Sequence, residues 1–163
     1  MYFVLAQIFA FLSSLCLLVS FWQRKRKKIL FFQTLDSTFD IIQYSLLGAY
    51  TGSLISLLGA TRAYTFSKTN NKFFLFLFLL LYVIASIITF NGLISFLPLI
   101  AALVYTIVTW NKKEKNIRIF SILVFFLWLI YDILVKAYIS SITDIILIVS
   151  NSLAFYKLDK KGK

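Results

Sequence analysis

Apolar residues in this chain come in long blocks separated by short polar breaks. FFLFLFLLLYVIASIITF, Phe73 to Phe90, runs eighteen residues without a charge. A helix half-buried in a soluble domain would interrupt such a run with polar residues every turn. A helix crossing a bilayer core of about 30 Å needs roughly 17–25 apolar residues in a row. Runs and breaks predict seven spans: Phe3–Phe21, Ile29–Leu47, Thr51–Ser67, Phe73–Phe90, Leu93–Trp110, Ile117–Val135 and Ile139–Tyr156. GAYTG (Gly48–Gly52) and Asn91-Gly92 read as tight turns, since glycine accepts positive φ. The predicted class is an all-α integral membrane protein of seven transmembrane helices in a single membrane domain, 1–163. Composition agrees: 61% of residues are hydrophobic and 14% charged, against about 25% charged in a soluble domain.

The breaks carry the charge. WQRKRKK (Trp22–Lys28) holds five consecutive cations between spans one and two. Arg62, Lys68 and Lys72 lie at the end of span three and in the loop after it. Lys112, Lys113, Lys115 and Arg118 lie between spans five and six, and Lys157, Lys160, Lys161 and Lys163 form the tail. Only Lys136 falls on an opposite break, so 16 of the 17 cations share one side. Cytoplasmic loops retain Lys and Arg, which predicts an outside N-terminus and a cytoplasmic C-terminus. The net charge of +11 is spread over separate loops beside lipid, so anionic headgroups are the expected partner and nucleic acid is not. Cys16 is the only cysteine, which excludes an intrachain disulfide. With no histidine, no Ser/His or Cys/His pair exists, and neither enzyme chemistry, a metal site nor a cofactor is expected.

An offset of 88 residues relates the two halves. Trp22 matches Trp110, Lys25 matches Lys113, Lys27 matches Lys115, Ile29 matches Ile117, Ala49-Tyr50 matches Ala137-Tyr138, and Ser53 matches Ser141. Spans one to three then correspond to spans five to seven, with span four between them. The predicted plan is two parallel three-helix repeats, 1–68 and 92–157, joined by a linker helix, 72–91, with a short basic cytoplasmic tail, 158–163. An odd linker gives both halves the same orientation, as in parallel-repeat transporters with a site at the midplane. The 3+1+3 plan and the Trp-Gln-plus-basic loop resemble the SWEET / PQ-loop (MtN3-like) superfamily. QYSLLGAYTGSLISLLGATR (Gln43–Arg62) resembles the YgjV-type bacterial inner-membrane proteins more closely, with Gln43 standing where that family has His and Ser56 where Asn is common. That resemblance implies a bacterial inner-membrane location. Asn151 lies opposite Ala63 in the repeat and is a further candidate in the second half.

Polar residues inside the spans need a reason, since an ionised side chain at the bilayer centre costs about 2.5–3.5 kcal/mol on insertion scales. Gln33, Asp36, Asp40 and Gln43 are spaced 3, 4, 3, which puts them on one face of the second helix. Such a stripe must face protein or a water-filled cavity. Asp36 lies 14 residues before Tyr50 and Arg62 lies 12 after it, so Arg62 is expected near the depth of Asp36, either neutralising it or snorkelling to the surface. Asp132 and Asp144 each lie six residues from Tyr138. They are expected to face each other, unless Asp132 pairs with Lys136 one turn on. Trp128, opposite Asp40 in the repeat, is expected either in the cavity or against lipid. Gly52, Ser56, Gly59, Ala60 and Ala63 form a small-residue stripe for close packing. The expected function is a transporter-like protein moving a small polar or cationic solute by rocking of two halves, with Asp40 as a proton carrier. The alternative is a non-transporting structural or interaction protein, with a homo-oligomer among its allowed partners.

Overall fold

Each predicted break is a helix end, and most of the ends have a local cause. The computed structural model describes residues 2–111 and 114–157. Within them lie α1 (Tyr2–Phe21), α2 (Arg26–Leu46), α3 (Tyr50–Lys68), α4 (Lys72–Ile88), α5 (Phe96–Trp110), α6 (Glu114–Leu134) and α7 (Tyr138–Phe155). A 3-10 turn, Leu93–Ser95, leads into α5. No strand occurs among the described residues. Lys112, Lys113 and the basic tail 158–163 lie outside them.

The α2–α3 and α6–α7 turns are built alike. α2 stops where Gly48 takes φ 70°, and the Ala49 N–H donates back to the Tyr44 carbonyl at 2.9 Å. α6 stops where Lys136 takes φ 62°, and the Ala137 N–H donates back to the Asp132 carbonyl at 2.8 Å. Ala49 (φ −87°, ψ 66°) and Ala137 (φ −83°, ψ 67°) then enter α3 and α7 with matching backbones. Both turns close helix carbonyls that would otherwise lack donors. Left-handed backbone is free for glycine but strained for lysine. Lys136→Gly is expected to stabilise the protein by about 1 kcal/mol, read as a higher denaturation midpoint in detergent. An unchanged midpoint would show that the turn carries no such strain.

The two ends of α4 use side-chain caps. The Asn71 side chain accepts from the Phe73 N–H at 2.9 Å and starts α4. Beyond α4, Gly92 at φ 76° turns the chain, and the Asn91 N–H donates to the Ser95 hydroxyl at 2.8 Å. Pro98 lies in the first turn of α5, where its missing N–H has no helical acceptor to lose.

The principal helix contacts run in a closed order. α1 packs on α2, α2 on α3, α3 on α5, α5 on α6, α6 on α7, and α7 back on α1. α4 lies outside this ring against α3 and α5. Its inner face buries Phe78, Tyr82, Ala85 and Ser86, while Phe73, Phe76, Leu80, Ile84 and Ile87 are exposed. The α3 stripe of Gly52, Ser56, Gly59, Ala60 and Ala63 is buried throughout, and a Cβ on Gly59 would meet the Ser37 hydroxyl of α2 at 3.3 Å.

The surface and the interior have exchanged their usual characters. Phe11, Leu57, Tyr64, Ile107, Phe126, Ile142 and Val149 all point outward. Gln33, Asp36, Arg62, Arg118, Asp132, Asp144 and Asn151 are buried. Water would not tolerate that apolar exterior, and lipid would not tolerate those polar groups outside. α1, α6, α7 and the segment Leu93–Trp110 are each long and apolar enough to span a membrane.

Candidate functional site

The α2 stripe turns its carboxylates into the middle of the ring. There a cavity of about 110 Å³ takes its lining from all seven helices. That is room for roughly seven to ten waters, or a solute of similar bulk. Asp36, Asp40, Ser56, Arg62, Trp128, Asp132 and Asp144 all line it. Gln43 and Asn151 are fully buried outside its wall.

Ser13 on α1 ties the two α2 carboxylates together. Its Oγ lies 2.6 Å from Asp36 Oδ1 and 2.6 Å from Asp40 Oδ1. A hydroxyl has one hydrogen, so it donates to only one of them. The second short contact is one that a carboxyl proton would complete, so Ser13 links Asp36 and Asp40 into one cluster. Asp36 is buried, and Asp40 is partly exposed.

Arg62 meets the cavity from α3, only 5% exposed, so it does not snorkel. Its Nη1 donates to Thr106 Oγ1 at 3.1 Å, and its guanidinium carbon stands 5.0 Å from the centre of the Tyr105 ring. Tyr105 in turn accepts from the Gln33 amide. The close partner of Asp36 is therefore Ser13, and Arg62 sits one turn away at the level of Gln33. Its Nε has no partner.

Asp132 and Asp144 do come together, within hydrogen-bonding reach of each other. Tyr44 donates its hydroxyl to Asp132 Oδ1 at 2.7 Å. Asp132 is 1% exposed and turned inward, so it is not spent on Lys136, whose side chain is exposed. Asp144 Oδ2 has no partner. Trp128 stacks on Tyr44 with ring centres 5.7 Å apart and faces the cavity rather than lipid.

Contacts between α1–α3 and α5–α7 gather towards the two ends of the bundle. At the end bearing the Gly48 and Lys136 turns, Gln43 Nε2 donates to Ser140 Oγ, and the Gly52 N–H donates to Tyr131 Oη at 3.0 Å. Gln43 and Tyr131 are 88 residues apart, as are Gly52 and Ser140, and Tyr44 and its partner Asp132. The contacts are thus reciprocal, as across a two-fold axis. At the opposite, basic end, Arg26 on α2 donates to the Thr109 carbonyl that ends α5. Arg118 on α6 donates to the Phe21 carbonyl that ends α1. Phe21 and Thr109 again stand 88 apart. Asn151 supports this end, donating to the Arg118 carbonyl.

Gly52 is needed at the first latch because a Cβ there would meet Tyr131 at 3.0 Å and Tyr44 at 3.1 Å. Gly52→Val is expected to destabilise by about 1–3 kcal/mol through overpacking, measured by chemical denaturation in detergent. Wild-type stability in that variant would mean that the two tyrosines move aside freely.

Sequence reasoning missed Ser13, Tyr44, Tyr105, Thr106 and Ser140. Only the Ser13-Ser14 pair in mid-span offered a signal. A model of the Imp-YgjV family, described as bacterial inner membrane protein, matches residues 4–162. No curated protein and no solved structure matches the chain.

Proposed function

The chain belongs to the Imp-YgjV family of bacterial inner membrane proteins, and on that premise we propose that it is a small transporter-like protein which passes a small polar or cationic solute through the central cavity. One observation carries the reading: the buried Asp36, Arg62, Asp132 and Asp144 and the half-buried Asp40 converge on one solute-sized cavity at the seam between α1–α3 and α5–α7. Stability alone gives no reason to keep five ionisable groups there.

The seam supports two parallel three-helix repeats with α4 as linker. Its reciprocal contacts suit two halves that rock as rigid bodies. Opening one face breaks the Tyr44–Asp132, Gln43–Ser140 and Gly52–Tyr131 contacts. Opening the other breaks the guanidinium–carbonyl contacts of Arg26 and Arg118. A proton held at Ser13 between Asp36 and Asp40 would give the cycle a group to exchange when a cation arrives, because a positive charge nearby favours the ionised carboxylate. The positive-inside rule favours a cytoplasmic Arg26 face and an outside N-terminus in this reading. No part of the cycle calls for catalysis or a cofactor.

Purified protein in liposomes tests this. Saturable uptake of labelled pentylamine or 5-aminopentanoate above that of protein-free liposomes is the expected result. A folded protein that carries no small amine, zwitterion or other polar solute would overturn transport and leave a structural or interaction role.

A further inference from the structure

Three of the four cavity aspartates differ in depth from the arginine, and Asp36, ten residues from Leu46, lies between the two levels. Asp40 lies six residues from the α2 end at Leu46, Asp144 six from the α7 start at Tyr138, and Arg62 twelve from the α3 start at Tyr50. At 1.5 Å per residue, the arginine level is about 9 Å deeper than the aspartate level. The carboxylates of Asp40, Asp132 and Asp144 gather in one half. The single guanidinium stands in the other, over Tyr105.

Arg62 and Asp144 are each at least nine-tenths buried, each lines the cavity, and each keeps an unpartnered polar atom: a donor on Arg62 Nε and an acceptor on Asp144 Oδ2. Opposite charges left apart in one low-dielectric cavity are costly unless something joins them. Thr106 and Tyr105 hold the guanidinium away from Asp36, so the protein does not join them itself. A guanidinium in a cavity wall is matched by a carboxylate. A cluster of carboxylates is matched by an ammonium.

We propose that the solute is a small zwitterion, an amino-carboxylate, with its carboxylate on Arg62 and its ammonium among Asp40, Asp132 and Asp144. This rests on the reading of the cavity as a solute site and narrows its class. Tyr105 and Thr106 orient the guanidinium. Trp128, stacked on Tyr44, covers the ammonium end, where an aromatic face also favours a cation.

The test compares three probes of one length on the purified full-length protein: 5-aminopentanoate, pentylamine and pentanoate. Binding is measured by calorimetry in detergent. The expected result is at least 10-fold tighter binding of 5-aminopentanoate than of either single-charge probe. In Arg62→Gln that preference over pentylamine is expected to fall to about 1-fold, and in Asp144→Asn both amines weaken. The wild-type comparison needs no variant to fold. Pentylamine binding as tightly as 5-aminopentanoate would overturn the zwitterion while leaving transport of cations intact. No binding of any probe overturns it as well. Tight 5-aminopentanoate binding without flux in liposomes would instead overturn transport and leave the zwitterion site standing.

Discussion

Asp40→Asn is expected to lower solute uptake by at least about 100-fold while leaving the protein folded. The change is nearly isosteric, and the asparagine amide can still meet the Ser13 hydroxyl that now lies 2.6 Å from Asp40. What it removes is the charge that faces the cavity. In the proposed complex Asp40 pairs with the cationic group of the solute; deleting one partner of such a desolvated pair costs about 3–5 kcal/mol, and each 1.4 kcal/mol is about tenfold. Asp40 is the member of the Ser13-linked pair with exposed surface, whereas Asp36 is closed off at 7%. The measurement is the initial uptake rate of 5-aminopentanoate or pentylamine into liposomes, with the far-ultraviolet spectrum and elution volume as controls on folding. Native uptake by a well-folded Asp40→Asn protein would remove Asp40 from the pathway. Asp40→Glu keeps the charge one methylene further out and is expected to retain part of the rate.

Much of the scaffold was legible because a membrane helix announces itself by length. The seven apolar runs became seven helices, and Gly48 and Gly92 became the positive-φ turns that their type implied. The α2 stripe was legible for the same reason, since charge is expensive where lipid surrounds a helix. The partners were not. A serine or threonine in an apolar span can satisfy itself on the carbonyl one turn back, as Thr34 does on Leu30 and Ser121 does on Ile117. Nothing local separates those from Ser13, which reaches across to α2, or from Thr106, which donates to the Ala102 carbonyl one turn back and also accepts from Arg62 of α3. Arg62 was expected at the depth of Asp36 but sits nearer Gln33, since its place depends on rotamer and on Tyr105, which come from packing. Lys136 was the least legible turn, because lysine carries no sign of a left-handed backbone. Arg26 and Arg118 were read as loop cations, and their use as caps for neighbouring helices is invisible without the ring.

Those caps set the second large effect. Arg118→Met is expected to cost on the order of 2–6 kcal/mol of stability, from two acceptors left unmade, the largest loss among the basic residues at this end. Arg118 is 2% exposed. Its Nε donates to the Phe21 carbonyl at 3.3 Å and its Nη2 to the Gln23 carbonyl at 3.0 Å. Phe21 ends α1, so its carbonyl has no donor within its own helix. A buried acceptor left unmade costs about 1–3 kcal/mol, and methionine fills the space without offering a proton. Arg26 makes the matching contacts to Thr109 and Phe66 but is partly exposed, so water replaces some of what Arg26→Met removes and the loss is smaller. Lys28 is exposed at the surface, and Lys28→Met is expected to change stability by less than about 0.5 kcal/mol. Chemical denaturation of the three variants in one detergent reads the order directly. Equal losses at positions 118 and 28 would mean that the basic end of the bundle is held by lipid attraction alone. The ordered series instead fits Arg26 of α2 capping the end of α5 and Arg118 of α6 capping the end of α1, contacts that the proposed opening of the basic face would release.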